Sequence, residues 1–122
     1  MPKNAKRAVR CDIKTLRTHA LKLLRDARKR GKRKQVNMSL TVDDIIFLYK
    51  KQRGRCALSG AALLCGAVSL CQNDAMSLDR CVPKRGYQMG NVQLLTRAVN
   101  NAKSTMLKKE FVAMCTNVTN RH

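Results

Sequence analysis

The sequence predicts an α+β domain in which two helices precede a short strand–loop–strand unit and a terminal helical segment. Three observations support this order: a helical apolar stripe in the first third of the chain, a helix-capping signal before a second stripe, and short apolar runs separated by Pro and Gly. The 122 residues are enough for one compact domain and too few for two of ordinary size.

The first helix is basic and is expected to end at Gly31. Its apolar residues recur at steps of three and four positions: Ile13, Leu16, Ala20, Leu23, Leu24 and Ala27. This period places them on one helical stripe, with most of the basic residues on other faces. Gly31 follows the basic run 28–30, and this combination is typical of a helix C-terminus.

The charge of the chain is its most unusual property. Lys and Arg number 26 and Asp and Glu 7, a net charge of +19, which indicates a polyanionic partner, most commonly nucleic acid. Residues 1–34 are therefore expected to form a basic arm and helix, and residues 35–122 the folded domain. The run 25–34 could be a solvated linker or a localisation signal, but we expect phosphate contacts from Arg25, Arg28, Lys29, Arg30, Lys32, Arg33 and Lys34.

A second helix is predicted within residues 38–54. Thr41 and Asp44 have the spacing of a capping box, and Asp43 and Asp44 suit the positive end of the helix dipole. The apolar stripe that follows contains Ile45, Leu48 and Tyr49, and Gly54 is expected to end the helix. The two acidic residues are thus explained by capping rather than by catalysis.

The six cysteines are at positions 11, 56, 65, 71, 81 and 115, and no pair has the C-x-x-C spacing of a zinc knuckle. The N-terminus has no apolar segment of a secretory signal, and no stretch is long enough to span a membrane. We therefore expect free thiols in an intracellular reducing compartment and no membrane partner. A structural zinc held by Cys56, Cys65, Cys71 and Cys81 is an alternative that the irregular spacing disfavours.

Residues 77–103 carry the most informative pattern, a predicted strand, loop, strand and helix. The strands are expected at 76–82 and 91–95, with Pro83, Gly86 and Gly90 between them, and a helix or helix pair at 96–115. Such a unit can fold its helix across the hairpin and bring Asp79 of the first strand close to Asn100 of the helix. Carboxylate and amide oxygens are ligands that suit Mg²⁺.

The ordered motifs GRCALSG, SLDR, GYQMGNVQLL and NNAK resemble the HNH endonucleases of phages and viruses, also called ββα-metal or His-Me finger nucleases. The resemblance extends over about residues 20–115. It implies a ββα-metal unit, one Mg²⁺ or Mn²⁺ ion per site, DNA rather than RNA as the partner, and phosphodiester hydrolysis that nicks or cuts DNA. It also implies a phage or viral setting, in the host cytoplasm, the nucleus or the virion.

The resemblance assigns roles to individual positions. Asp79 and Asn100 would bind the metal, and Asn91 would support the hairpin loop or orient the site. Gly86 would permit a positive φ, and Tyr87 would pack beneath the loop. Further basic residues would contact phosphates near the site: Lys84, Arg85, Arg97 and Lys103.

The sequence departs from the family at the general base. Active members carry His after the Asp, whereas this chain has Arg80, whose guanidinium stays protonated and cannot accept a proton from water. The two histidines, His19 and His122, lie outside the motif, and His19 is expected to be a surface or packing residue rather than a catalytic one. Arg80 can still bind phosphate, so three hypotheses follow: an endonuclease of reduced activity, an HNH-like DNA-binding or DNA-organising protein without hydrolysis, and a structural RNA-binding protein such as a ribosomal protein.

Overall fold

The computed structural model describes residues 11–66 and 72–122, and these residues form an α+β fold, as expected. The elements follow in the order α1 (Ile13–Lys34), α2 (Val42–Lys51), β1 (Met76–Arg80), β2 (Val92–Thr96), α3 (Arg97–Lys103) and α4 (Lys108–Arg121). The two strands form one antiparallel sheet. No helix within the described ranges is long and apolar enough to cross a membrane.

Helix α1 begins at a capping aspartate and runs further than the sequence predicts. The side chain of Asp12 accepts a hydrogen bond from the backbone N–H of Thr15. The prediction that Gly31 ends the helix is wrong, because Gly31 is buried inside it and the helix continues to Lys34. Gln35 ends it instead, with a left-handed φ of 56° and an N–H that bonds to the carbonyls of Gly31 and Lys32.

Helix α2 has the predicted capping box. Asp44 N–H donates to the Thr41 hydroxyl at 3.2 Å, and the Asp44 carboxylate accepts from Thr41 N–H at 3.0 Å. The helix ends at Lys51, three residues before Gly54, because a turn with two left-handed residues, Arg53 and Gly54, follows it.

The hairpin and α3 form one compact unit. Asp79 pairs with Gln93 and Arg80 with Val92, so β1 ends two residues earlier than predicted. Thr96 ends β2 and caps α3 through a bond from Val99 N–H to its hydroxyl. A break at Ser104, with φ 51°, separates α3 from α4, so the alternative of a helix pair is correct.

One hydrophobic core joins α1, α2 and the hairpin. Helix α1 packs against α2 and β1, and α2 packs against β2. The buried face of α1 contributes Leu16, Ala20, Leu24 and Ala27 to the cluster that also contains Leu94 and Leu95. Removing residues 1–34 would therefore remove part of this core as well as basic charge.

The expectation of free thiols is wrong for two cysteines. Cys11 and Cys65 form a disulfide, which their Cα separation of 5.9 Å permits. Cys65 is therefore not available to a zinc site with Cys56, Cys71 and Cys81, and Cys71 lies outside the described residues. Cys56, Cys81 and Cys115 are free thiols, and the described part of the chain contains no cluster of three or more His, Cys, Asp or Glu that could hold a metal.

Candidate nucleic-acid and metal site

A cavity of about 370 Å³ lies between the C-terminal half of α1, the hairpin and α3. The charged side chains that line it come from α1 and the hairpin: Asp26, Arg30, Arg33, Lys34, Asp79 and Arg80. Polar side chains such as Tyr87 of the hairpin and Asn100 of α3 line it too. The structure thus brings together residues that the sequence singled out for metal binding with residues that it singled out for phosphate contact.

Asp79 is buried and accepts hydrogen bonds at both carboxylate oxygens. The ammonium of Lys103 lies 3.1 Å from Oδ2 and 3.3 Å from Oδ1, and Gln93 Nε2 donates to Oδ2 at 3.0 Å. Lys103 is 0% exposed, so the prediction that it contacts DNA phosphates is wrong for this conformation. The reason is that a lysine in the last turn of α3 meets the carboxylate of β1 across the interior.

Asn100 fastens α3 to β1 and leaves an oxygen for a ligand. Its Nδ2 donates to Ser77 Oγ at 3.0 Å and to the Leu78 carbonyl at 3.2 Å. Among the described residues, no donor hydrogen-bonds to its Oδ1. The amide is thereby held at the cavity wall with a hard oxygen acceptor available.

The donor types at this wall fit Mg²⁺ or Mn²⁺, which prefer carboxylate and amide oxygens. Asp79 and Asn100 would hold such an ion, and Asp26 of α1 is a second carboxylate on the same cavity. Metal binding at Asp79 is opposed by the local charge, because the ammonium of Lys103 already neutralises this carboxylate. A divalent cation at Asp79 must therefore compete with Lys103.

Arg80 and Arg30 meet at the ring of Tyr87. Arg80 Nη1 donates to the Pro83 carbonyl at 2.6 Å, and its guanidinium carbon lies 5.0 Å from the ring centroid. Arg30 Nε donates to the Tyr87 hydroxyl at 2.9 Å, and its guanidinium carbon lies 5.8 Å from the centroid. Both distances are within the range of cation–π attraction.

The family resemblance implied that Tyr87 packs beneath the hairpin loop, and its ring is buried. Its second role, holding one arginine from α1 and one from β1, was missed. The one sequence feature that could have indicated this role is the rarity of aromatic residues, since Tyr87 is one of only four in the chain. The explanation for Gly86 is also corrected: its φ is not positive, but a Cβ there would overlap the carbonyl oxygen of Asn37.

Asn91 supports the loop rather than the cavity wall. Its Oδ1 accepts from Val82 N–H at 3.0 Å, while its Nδ2 donates to the carbonyls of Val82 at 3.2 Å and Gly86 at 2.9 Å. It does not line the cavity. The loop-supporting role is the one that the geometry shows, and no catalytic contact is assigned to it.

The remaining basic candidates are at the surface. The exposed ones are Arg25, Arg28, Lys29, Lys32, Arg33, Lys34, Lys84, Arg85 and Arg97, and Arg30 is half-buried. Lys84 and Arg85 border a second, separate pocket with Gln35 and Val36, close to the end of α1. The basic surface therefore extends from α1 onto the hairpin loop.

His19 is a buried packing residue, which selects one of the two predicted alternatives, surface or packing. Its Nδ1 accepts a hydrogen bond from Gly66 N–H at 3.0 Å, which leaves the Nε2 proton to be donated to the Met76 carbonyl at 2.9 Å. This pattern is that of the neutral imidazole. Burial lowers the pKa of His19, and the side chain does not line the cavity.

No protein-family model matches the chain, and neither a curated protein nor a solved structure matches it.

Proposed function

We propose that this chain is an HNH-like DNA-binding protein that hydrolyses phosphodiester bonds with the help of a divalent cation. The observation that carries the proposal is the convergence on one cavity of Asp79 and Asn100 with the basic end of α1. A phosphate backbone that follows the basic surface of α1 would pass the oxygens that can hold a metal.

Electrostatic attraction supports the DNA-binding part of the proposal. Basic side chains at 25, 28, 29, 32, 33 and 34 are exposed on the last three turns of α1, and Lys84 and Arg85 continue this surface on the hairpin loop. Cations on a solvent-exposed surface bind phosphates and release counterions from DNA. Binding should therefore depend strongly on salt and weakly on base sequence.

The chemistry of hydrolysis divides between the ion and the chain. A Mg²⁺ or Mn²⁺ ion held by Asp79 and Asn100 would supply Lewis-acid stabilisation and a more acidic water. Arg30 and Arg80 would bind phosphate oxygens and stabilise their charge. Arg80 cannot take a proton from the attacking water, so the reaction would lack the contribution of about 10²–10⁴-fold from a general base.

A second candidate function is DNA binding without hydrolysis. The pairing of Lys103 with Asp79 favours it, because a buried ammonium occupies the carboxylate on which metal binding depends. Arg80 in place of the family's histidine favours it too. In this case the same basic surface would package or organise DNA.

Nicking of supercoiled plasmid separates the two candidates. The protein is incubated with plasmid and Mg²⁺ or Mn²⁺, with and without EDTA, beside Asp79→Asn, a nearly isosteric variant. Metal-dependent nicking that EDTA abolishes, and that is lost in Asp79→Asn protein shown by circular dichroism to be folded, supports the endonuclease. Binding without nicking at any metal concentration replaces it with the second candidate.

The binding surface is tested by fluorescence anisotropy with duplex DNA over a salt series. A variant with Arg28, Lys29, Lys32 and Arg33 all changed to Gln should lower the slope of log affinity against log salt by about one unit for each lost phosphate contact. The control carries four Gln substitutions at exposed lysines elsewhere: Lys50, Lys51, Lys108 and Lys109. Equal slopes in the two variants would contradict α1 as the DNA-binding surface. Tighter binding of an RNA duplex of the same base sequence would favour the RNA-binding hypothesis.

A further inference from the structure

We infer that Arg30 and Arg80 form a binding site for one phosphate group, organised by the ring and hydroxyl of Tyr87, that operates without a divalent cation. The site deepens the proposed function, on which it rests for the source of the phosphate. Its ligand chemistry is a phosphate oxyanion, either an internal phosphodiester of DNA or a terminal phosphomonoester.

The charge around the cavity favours an anion. Each of its two acidic residues is already paired with a lysine: Asp79 with Lys103 at 3.1 Å and Asp26 with Lys22 at 3.3 Å. The four cationic residues of the wall have no acidic partner among the described residues: Arg30, Arg33, Lys34 and Arg80. The uncompensated charge of the cavity is therefore positive.

Tyr87 fixes the arginines relative to each other. Its backbone is held by two hydrogen bonds with the segment after α1, from Tyr87 N–H to Asn37 O at 2.8 Å and from Ser39 N–H to Tyr87 O at 2.9 Å. The buried ring then contacts Arg80, and its hydroxyl accepts the Nε–H of Arg30. Two guanidinium groups from different elements are thus held at one ring before any ligand binds, which reduces the entropy lost on binding.

Both arginines keep donors for a ligand. Among the described residues, Arg30 donates only through Nε and Arg80 only through Nη1. The remaining N–H groups of a guanidinium match the paired oxygens of a phosphate, which an ammonium does not. Because the positive charge comes from side chains, phosphate binding at this site should not require a metal.

The test measures binding of inorganic phosphate by isothermal titration calorimetry in EDTA. Arg30→Gln and Arg80→Gln should each weaken binding about tenfold or more, because each removes charge-assisted hydrogen bonds. Tyr87→Phe keeps the ring and removes only the hydroxyl that holds Arg30, so it should weaken binding by less than either arginine variant. Lys50→Gln on α2, far along the chain from these residues and exposed, should bind phosphate as the wild type does.

A second arm uses a short oligonucleotide with and without a 5′-phosphate, again in EDTA. If the phosphorylated form binds more tightly and Arg80→Gln removes this difference, the ligand is a terminal monoester. If both forms bind equally and Arg80→Gln weakens both to the same extent, the ligand is an internal diester. Circular dichroism confirms the fold of each variant. If Arg80→Gln does not fold, the phosphate affinities of Arg30→Gln and Tyr87→Phe test the site instead.

Failure of the phosphate site is distinguishable from failure of the proposed function. Wild-type affinity for phosphate in Arg30→Gln and Arg80→Gln, or phosphate binding that EDTA abolishes, would overturn the inference while DNA binding stands. Phosphate binding that follows the predicted order of variants, in a protein that binds no DNA, would keep the site and reject the proposed function.

Discussion

The ammonium of Lys103 lies 3.1 Å from the carboxylate of Asp79, with the lysine 0% and the aspartate 6% exposed. A buried pair of this kind gains little over an apolar pair, but the loss of one partner leaves a charge in a medium that solvates it poorly. The pair therefore holds the end of α3 against β1, and any cation at Asp79 competes with it.

Replacing Lys103 by Met should destabilise the fold. The substitution keeps the volume of the side chain and removes its charge, so Asp79 is left buried with Gln93 as its remaining partner. We expect a loss of about 3–5 kcal/mol in the free energy of unfolding, measured by urea denaturation at neutral pH. Lys109→Met, at an exposed position on α4, should change stability by less than about 0.5 kcal/mol. A loss below about 1 kcal/mol in Lys103→Met would show that Asp79 is solvated rather than held in a buried ion pair.

Lys103→Met should also change the affinity of the site for a divalent cation. Because Lys103 neutralises the carboxylate, its removal should raise the affinity of Asp79 for Mn²⁺ in protein that remains folded. Electron paramagnetic resonance of free Mn²⁺ measures this affinity directly and does not depend on nicking. Unchanged affinity in folded Lys103→Met would mean that the ion binds elsewhere than at Asp79.

Much of the fold could be predicted from sequence, because its signals are local, and the strand–loop–strand–helix pattern also predicted that Asp79 and Asn100 lie close to each other, as they do at one cavity. The Thr41 capping box and the two strands follow from residue types at short spacings, whereas the sequence left open whether α3 and α4 are one helix or two. The ion pair of Lys103 with Asp79 does not follow from such spacings, since nothing in the sequence gives the angle at which α3 crosses β1. From the sequence, Lys103 was predicted to be a phosphate-binding cation, but the packing of α3 on the hairpin buries it.

Position 80 should decide how much hydrolysis is possible. Arg80→His restores a group that can accept a proton from water, and we expect metal-dependent nicking of supercoiled plasmid to rise by up to about 10²-fold. The gain is limited because His cannot reproduce the bond from Arg80 to Pro83 O or the contact with the Tyr87 ring. Circular dichroism at the assay temperature establishes that each variant is folded.

The control for Arg80→His is the double variant that also carries Asp79→Asn. Neither Asp79→Asn nor this double variant should nick. Protein that circular dichroism shows to be folded should still bind DNA, because one acid fewer in a chain of net charge +19 does not weaken attraction to phosphate. Brisk nicking by the wild type that Arg80→His does not improve would show that Arg80 belongs to a working variant site.

The disulfide between Cys11 and Cys65 should contribute substantially to stability. It closes a loop over a sequence separation of 54 and ties the start of α1 to the segment before Gly66. Loop-closure entropy for that length corresponds to about 4 kcal/mol, so reduction with dithiothreitol should lower the urea midpoint clearly. Cys11→Ser with Cys65→Ser should be as unstable as the reduced wild type and insensitive to the reductant. Cys115→Ser, at an exposed free thiol, should respond as the wild type does.

Neither the disulfide nor the contacts of His19 could be predicted from local sequence patterns. Cys11 and Cys65 are 54 positions apart, and six cysteines with no knuckle spacing leave many pairings open. His19 fitted the apolar stripe of α1 by position, yet its bonding partners come from Gly66 and Met76 in distant parts of the chain. Such contacts are set by how α1 lies on the hairpin.

His19 should make the fold sensitive to mild acid. The imidazole is neutral in the folded chain, because Nδ1 accepts from Gly66 N–H, and protonation would place two N–H donors face to face. Burial lowers its pKa below the ordinary value of 6.5. A depressed folded-state pKa means that the unfolded chain takes up the proton first, so the stabilisation is complete above pH 6.5 and is lost as the pH falls below it.

The measurement is urea denaturation at intervals from about pH 7.5 to pH 5, a range in which unpaired carboxylates stay ionised. His19→Gln is the matched variant, because its amide can donate to Met76 O and accept from Gly66 N–H without titrating. The wild type should lose stability relative to His19→Gln as the pH falls through this range, and the difference should stay constant above pH 7. Parallel curves over the whole range would show that His19 is solvated in the folded chain and that its bond from Gly66 does not persist in solution.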